Sequence, residues 1–111
     1  MSSFPHMKKG LVIGDPYLSL IGVAAGFDYF IYADNCRELM EYLKEHVSDY
    51  GLVIVLRSVI RDCRDIEVFE EEHRGILFIH LDSPKEIEKI DPKRYYEEMI
   101  ARYIGLKFEL K

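Results

Sequence analysis

Four short, wholly apolar runs punctuate the chain: Leu11-Val12-Ile13, Tyr29-Phe30-Ile31-Tyr32, Leu52-Val53-Ile54-Val55-Leu56 and Ile76-Leu77-Phe78-Ile79. Runs without polar alternation fit strands covered on both faces, and segments of helical periodicity separate them. Such an alternation folds around a parallel sheet with right-handed crossovers. At 111 residues the chain is one domain with a core of its own. The expected fold is therefore α/β and CheY/Rossmann-like: a small four-stranded parallel sheet of order 2-1-3-4, helices on both faces, and a C-terminal helix. The sheet body is expected over 7–83 and the C-terminal helical segment and tail over 84–111. The opening Met1-Ser2-Ser3-Phe4-Pro5-His6 precedes a second plausible start, Met7-Lys8-Lys9, and is expected to be vector-derived or a disordered start.

Local signals place the elements. The first strand is predicted over Lys8–Gly14. Asp15 then caps a helix with Pro16 at its first position, where a missing N–H costs nothing. That helix runs through Leu18, Leu20, Ile21, Val23, Ala24 and Ala25, and Gly26 suits its left-handed stop. It is apolar on nearly every side, so it is expected to be deeply buried or to lie against a partner. The second strand spans Asp28–Ala33. Asn35 with Glu38 opens the next helix in the manner of a capping box. Ser48-Asp49-Tyr50-Gly51 reads as a turn before the buried strand Leu52–Leu56. Ser58 is predicted to start a third helix, with Ile60, Cys63 and Ile66/Glu67 on its inner face. Glu70 to Gly75 reads as an exposed turn before the fourth strand. Ser83-Pro84, with Glu86 at the capping-box position, opens a helical turn. Asp91-Pro92 starts a final helix to about Ile104, Gly105 ends it, and Leu106–Lys111 is an alternating tail.

Composition excludes several roles. A net charge of -5 opposes nucleic acid and anionic lipid, both of which need a basic face. No apolar stretch approaches the length of a membrane span. Cys36 and Cys63 lack the close spacing of a redox or zinc motif and are expected as reduced core residues of a cytoplasmic protein; the sequence leaves a disulfide open.

Ligands of open parallel sheets gather at the carboxyl ends of the strands. Here those ends hold little chemistry. Gly14-Asp15-Pro16-Tyr17 offers a proline without an N–H and an aspartate that repels phosphate, so no nucleotide or flavin is expected. A phosphoacceptor site needs paired acids and a bound cation, whereas the third strand ends in Leu56-Arg57-Ser58. His80 stands near the end of the fourth strand, followed by Asp82 and Ser83; Ser58 and Ser83 are better explained as helix caps. The run Glu67, Glu70, Glu71, Glu72 with His73 is expected as solvated surface. We expect no catalytic, cofactor-binding or metal site. The alternative is a small flavodoxin-like enzyme or phosphorelay domain using His80, Asp15 or Ser58. In the last helix Tyr95, Tyr96, Met99, Ile100, Tyr103 and Ile104 share one side, with Lys93, Glu97, Glu98 and Arg102 opposite. Either this face covers the sheet or, being rich in tyrosine and methionine, it binds a partner.

In its order, spacing and length, the chain from Lys8 to Leu110 resembles the F subunit of archaeal and vacuolar-type (A/V-type) rotary ATPases. The residues that carry the resemblance are Val12-Ile13-Gly14-Asp15, Ala25-Gly26, Gly51 to Leu56, the Ser83-Pro84 step, and Asp91-Pro92 with Ile104-Gly105-Leu106-Lys107. The family often has a threonine in the first helix turn and a proline before the last strand, where this chain has Leu18 and Arg74-Gly75. The resemblance implies a non-catalytic rotor subunit of the central stalk, without cofactor, that binds the coiled-coil D subunit and meets the A/B headpiece transiently. It would help couple ATP turnover to ion transport, and would be cytoplasmic and peripheral to the membrane. The family's mobile C-terminal helix corresponds to Asp91–Ile104, with Tyr95, Tyr96, Met99, Ile100 and Tyr103 as the implied partner-binding face.

Overall fold

The structure, a computed structural model, describes residues 8–82 and 91–109, and in the latter segment it places side chains at 91 and 93–102. Strand β1 (Lys9–Gly14) lies at the centre of the sheet. It pairs in parallel with β2 (Asp28–Ile31) on one side and β3 (Tyr50–Leu56) on the other, and β3 pairs with β4 (Leu77–Leu81). The order is β2-β1-β3-β4, as the sequence predicts. Leu11, Val12 and Ile13 of β1 and Val53, Ile54 and Val55 of β3 are buried together, which is why these strands read as unbroken apolar runs.

Helix α1 (Pro16–Ala24) packs on the face of Val12: a side chain at Gly22 would lie 2.6 Å from a Val12 methyl, so helix and strand approach more closely than any larger residue permits. Gly26, with φ of +91°, ends the turn after α1 in a backbone region that glycine enters without steric cost. Helix α5 (Pro92–Glu109) lies against α1 on this same side. The other face carries α2 (Cys36–His46), α3 (Arg57–Asp62) and α4 (Asp65–Glu72), with Phe30 tilted against Tyr42 and Phe69 edge-on to Phe78.

Several boundaries differ from expectation. The strand β3 starts at Tyr50, and only Val47–Asp49 form a tight turn. The reason is tertiary: the buried Tyr50 hydroxyl donates to Asp28 at 2.8 Å and meets the Tyr42 hydroxyl at 2.7 Å, satisfying a polar tip at the sheet's lower edge. Ser58 is not a helix cap; α3 begins at Arg57 with no side chain capping it. The predicted third helix is two helices, broken at Cys63, whose φ of -126° and ψ of 80° are not helical. Ile60, Cys63 and Ile66 face inward as expected, whereas Glu67 is exposed and pairs with Arg64 at 2.8 Å. Glu70–Glu72 belong to α4 rather than to a turn. Helix α5 does not stop at Gly105 but continues to Glu109; glycine inside a helix costs only about 1 kcal/mol relative to alanine and terminates one only when it turns left-handed. The hexapeptide start, the Ser83-Pro84 turn and the final two residues lie outside the described residues.

Cys36 and Cys63 are joined in a disulfide, with Cα atoms 5.2 Å apart. The expectation of reduced core cysteines is thereby corrected. Their positions, at the start of α2 and just after α3, become neighbours only when both helices pack on one sheet face.

Candidate functional site

The carboxyl end of β1 is built around Asp15. Its extended backbone ends the strand and turns the carboxylate over the first turn of α1, where Oδ1 accepts the Leu18 N–H at 2.8 Å. The Ser19 hydroxyl donates to the Asp15 carbonyl at 3.0 Å, which explains the one buried polar side chain of α1. The second carboxylate oxygen accepts the Tyr96 hydroxyl at 2.8 Å, across 81 residues of sequence. Both oxygens are thus engaged by the chain itself. Tyr96 is fully buried, and burial first, then its bond to the negative Asp15, pushes its hydroxyl well above the ordinary tyrosine range.

The other strand ends are paired in the same way. After β2, the Tyr32 N–H donates to the Gly14 carbonyl at 2.9 Å and its hydroxyl donates to Asp62. After β3, Arg57 Nε lies 3.2 Å from Asp82 Oδ1, so the cation that opposes a metal there is balanced by the acid that follows β4. His80 sits within β4, not beyond it, and its Nε2 lies 2.7 Å from Glu70 Oε2. That pair stands on the α4 side of the sheet, whereas Asp15 is held by Tyr96 on the α1–α5 side. Asp15, Ser58 and His80 therefore do not converge, and Ser83 lies outside the described residues.

Sequence reasoning missed the Glu70–His80 pair. Assigning Glu70 to a turn hid that it belongs to a helix, next to the buried Phe69 and one turn after the buried Ile66, and so reaches His80. Glu67, Glu71 and Glu72 are exposed. His73 Nδ1 lies 2.9 Å from the Phe69 carbonyl and its ring stacks on Phe69 at 4.0 Å. Among the described residues, no group of three or more His, Cys, Asp or Glu side chains is arranged to hold a metal.

The predicted partner face of α5 is turned inward. Tyr96 and Ile100 are buried, and Tyr95 and Met99 are half-buried against the core. The side chain of Tyr103 lies outside the described residues. Lys93, Arg94, Glu97, Glu98 and Arg102 face solvent, with Arg94 and Glu98 3.2 Å apart. While α5 is docked, its tyrosine–methionine side covers α1 and the core. The exposed apolar surface lies elsewhere: Tyr17, Leu20 and Val23 on α1, and Tyr29 and Ile31 on the edge strand β2. The all-round apolar character of α1 was the available signal.

The fold is a doubly wound α/β domain in which, among the described residues, Asp15, Tyr32, Arg57 and Asp82 at the strand ends are paired within the chain. Comparison with protein-family models, curated proteins and solved structures finds no match in any of the three. Among the described residues, no helix is long and apolar enough to cross a membrane.

The tyrosines supply a direct check on this packing. Tyr32 is pushed up to about 12, chiefly by burial and then by its bond to Asp62. Tyr50 and Tyr96 are raised further, by burial first and then by the hydroxyl and carboxylate groups they touch. The folded chain therefore holds these protons more tightly than the unfolded chain, whose tyrosines ionise near pH 10. Their contribution to stability is whole below about pH 10 and is lost as pH rises through the folded values, a window that starts for Tyr32 between about 10 and 12. In an alkaline titration followed by phenolate absorbance, three of the eight tyrosines should ionise late, with unfolding. Ionisation of Tyr32, Tyr50 and Tyr96 near pH 10 while the fold persists would contradict the packing.

Proposed function

We propose that this chain is a non-catalytic rotor subunit of the central stalk of an A/V-type ATPase. It binds the coiled-coil D subunit, meets the A/B headpiece transiently, and helps couple ATP turnover to ion transport. It sits in the cytoplasm, peripheral to the membrane through that complex. The observation that carries this reading is the Tyr96–Asp15 hydrogen bond, supported by the Arg57–Asp82 pair: the position where the fold would hold a ligand is filled by the chain's own groups. The motif pattern from Val12-Ile13-Gly14-Asp15 to Ile104-Gly105-Leu106-Lys107 supplies the family, and the close-packed core supplies the mechanics. A rotor part transmits torque through a body that does not deform, and an interior packed to crystal-like density meets that need.

The test is co-expression with the coiled-coil stalk subunit of the same organism. The expected result is a stable one-to-one complex on gel filtration, with no rise in melting temperature of the free chain on adding nucleotides, flavins or acyl phosphates. A coiled coil that leaves the chain unbound sinks the proposal. So does a small molecule that stabilises the free chain and loses its effect in Asp15→Asn or His80→Gln, which would favour the enzyme or phosphorelay alternative.

A further inference from the structure

The Cys36–Cys63 bridge ties the start of α2 to the break between α3 and α4, and it lies close beneath the surface. Residues 33–35 and 37–38 beside one cysteine are exposed, as are 61–62 and 64–65 beside the other. Both segments carry acids and arginines together, so access rather than charge decides which sulfur meets a reagent. Access differs between the two. Cys63 is fully buried, with Ile60 and Ile66 on the inner face, whereas Cys36 is only partly covered.

The surroundings suit a reduced pair as well as a bridge. Cys36 is the first residue of α2, behind the Asn35 cap, where the positive end of the helix favours negative charge on sulfur. Cys63 forms the joint of the two short helices: its N–H donates to the Val59 carbonyl at 2.8 Å, and its carbonyl accepts the Ile66 N–H at 3.2 Å. Its Sγ lies 3.8 Å from the Cys36 carbonyl oxygen. A thiol at Cys63 therefore has an acceptor within a sulfur donor's reach, and its small apolar body fits the core it already occupies. We propose that Cys36–Cys63 is a reversible thiol–disulfide exchange site for a dithiol, with Cys36 the reacting sulfur and Cys63 the resolving one.

In the reducing direction a thiolate of the dithiol attacks Cys36 Sγ. A new S–S bond forms there as the Cys36–Cys63 bond breaks, and Cys63 leaves as a thiolate that takes a proton from solvent. The reagent's second thiolate then attacks its own sulfur in the mixed disulfide. Cys36 leaves as a thiolate at the start of α2, so the reagent ends as a disulfide and the protein as a dithiol. Oxidation runs the same steps backwards, with Cys63 held close enough to Cys36, at a Cα separation of 5.2 Å, to close the bridge within one molecule. The element under control is the joint. With the bridge closed, the first turn of α2 is fixed to the α3–α4 break; with it open, packing alone holds them. Asp62, the acceptor of the Tyr32 hydroxyl, sits next to that joint.

Reduction of the folded wild-type chain tests this. The chain is treated with dithiothreitol without denaturant, quenched by alkylation and weighed intact. Two alkylated thiols are expected while the amides of β1 and β3 stay protected from hydrogen exchange, with faster exchange confined to 32–39 and 61–66. Oxidised dithiothreitol should then restore the bridge within the monomer. Glutathione, a monothiol, quenched early, should be found on Cys36 at least about tenfold more often than on Cys63. Reduced thioredoxin run beside dithiothreitol separates a protein dithiol from a small one: reduction of the folded chain by either supports the site, and the faster names the source. If neither opens the bridge until the chain unfolds, the bond is structural and the proposal is overturned. Glutathione spread equally over both cysteines, or held mainly by Cys63, overturns the assignment of Cys36. None of these outcomes bears on binding to a coiled coil, so the site and the stalk reading stand or fall separately.

Discussion

Replacing Tyr96 by alanine is expected to destabilise the protein by about 3–5 kcal/mol, the usual cost of truncating a fully buried aromatic side chain. Two effects add. The ring leaves a cavity between α5 and α1, where Ile100 one turn on is also buried. The lost hydroxyl leaves one oxygen of Asp15 without its donor, although Oδ1 still accepts the Leu18 N–H. Tyr96→Phe separates the two, removing the hydrogen bond alone at about 1 kcal/mol. Since a domain of this size is stable by only about 5–15 kcal/mol, the alanine variant should show its loss as a large shift in the urea midpoint, with α5 amides exchanging first. A shift below that of Tyr96→Phe would mean that α5 does not hold the sheet. Introducing a charge at Tyr96 would likewise test folding rather than partner binding, because the residue is inside.

The second large effect is expected from the disulfide. Cys36–Cys63 closes a loop of 27 residues that contains α2, β3 and α3. Loops of that length lose enough freedom in the unfolded chain for the bond to contribute about 2–4 kcal/mol. Cys36→Ser with Cys63→Ser should lower the unfolding free energy by that amount, and a dithiol reductant should do the same to the wild type. The change should be local as well as global: Cys63 adjoins Asp62, which accepts the Tyr32 hydroxyl, so exchange at 32–36 should quicken on reduction. Equal denaturation midpoints with and without reductant would show that the bond contributes nothing.

Much of the site was legible because it is made of local signals. Asp15 as a cap with Pro16 behind it, Asn35 accepting the Glu38 N–H at 3.1 Å, and Gly26 as the stop of α1 all follow from interactions within about four residues. The choice between the two roles offered for Tyr96 and Ile100 was not legible. Helical spacing puts them on one side of α5, but spacing says nothing of what covers that side. For Ser58, sequence order misled: a serine at a helix start resembles a cap, yet the chain turns one residue earlier, at the end of β3.

What the amino-acid order determined by itself is the alternation of strands and helices, the parallel sheet and most of its caps. These depend on near neighbours and on periodicity, which any window of the chain displays. The tertiary structure alone decided the Tyr96–Asp15 bond, the Glu70–His80 pair, the Cys36–Cys63 bridge and the solvent-facing ridge of α1. Each depends on which elements come to share a sheet face, and that follows from packing the whole core at once rather than from any segment of it.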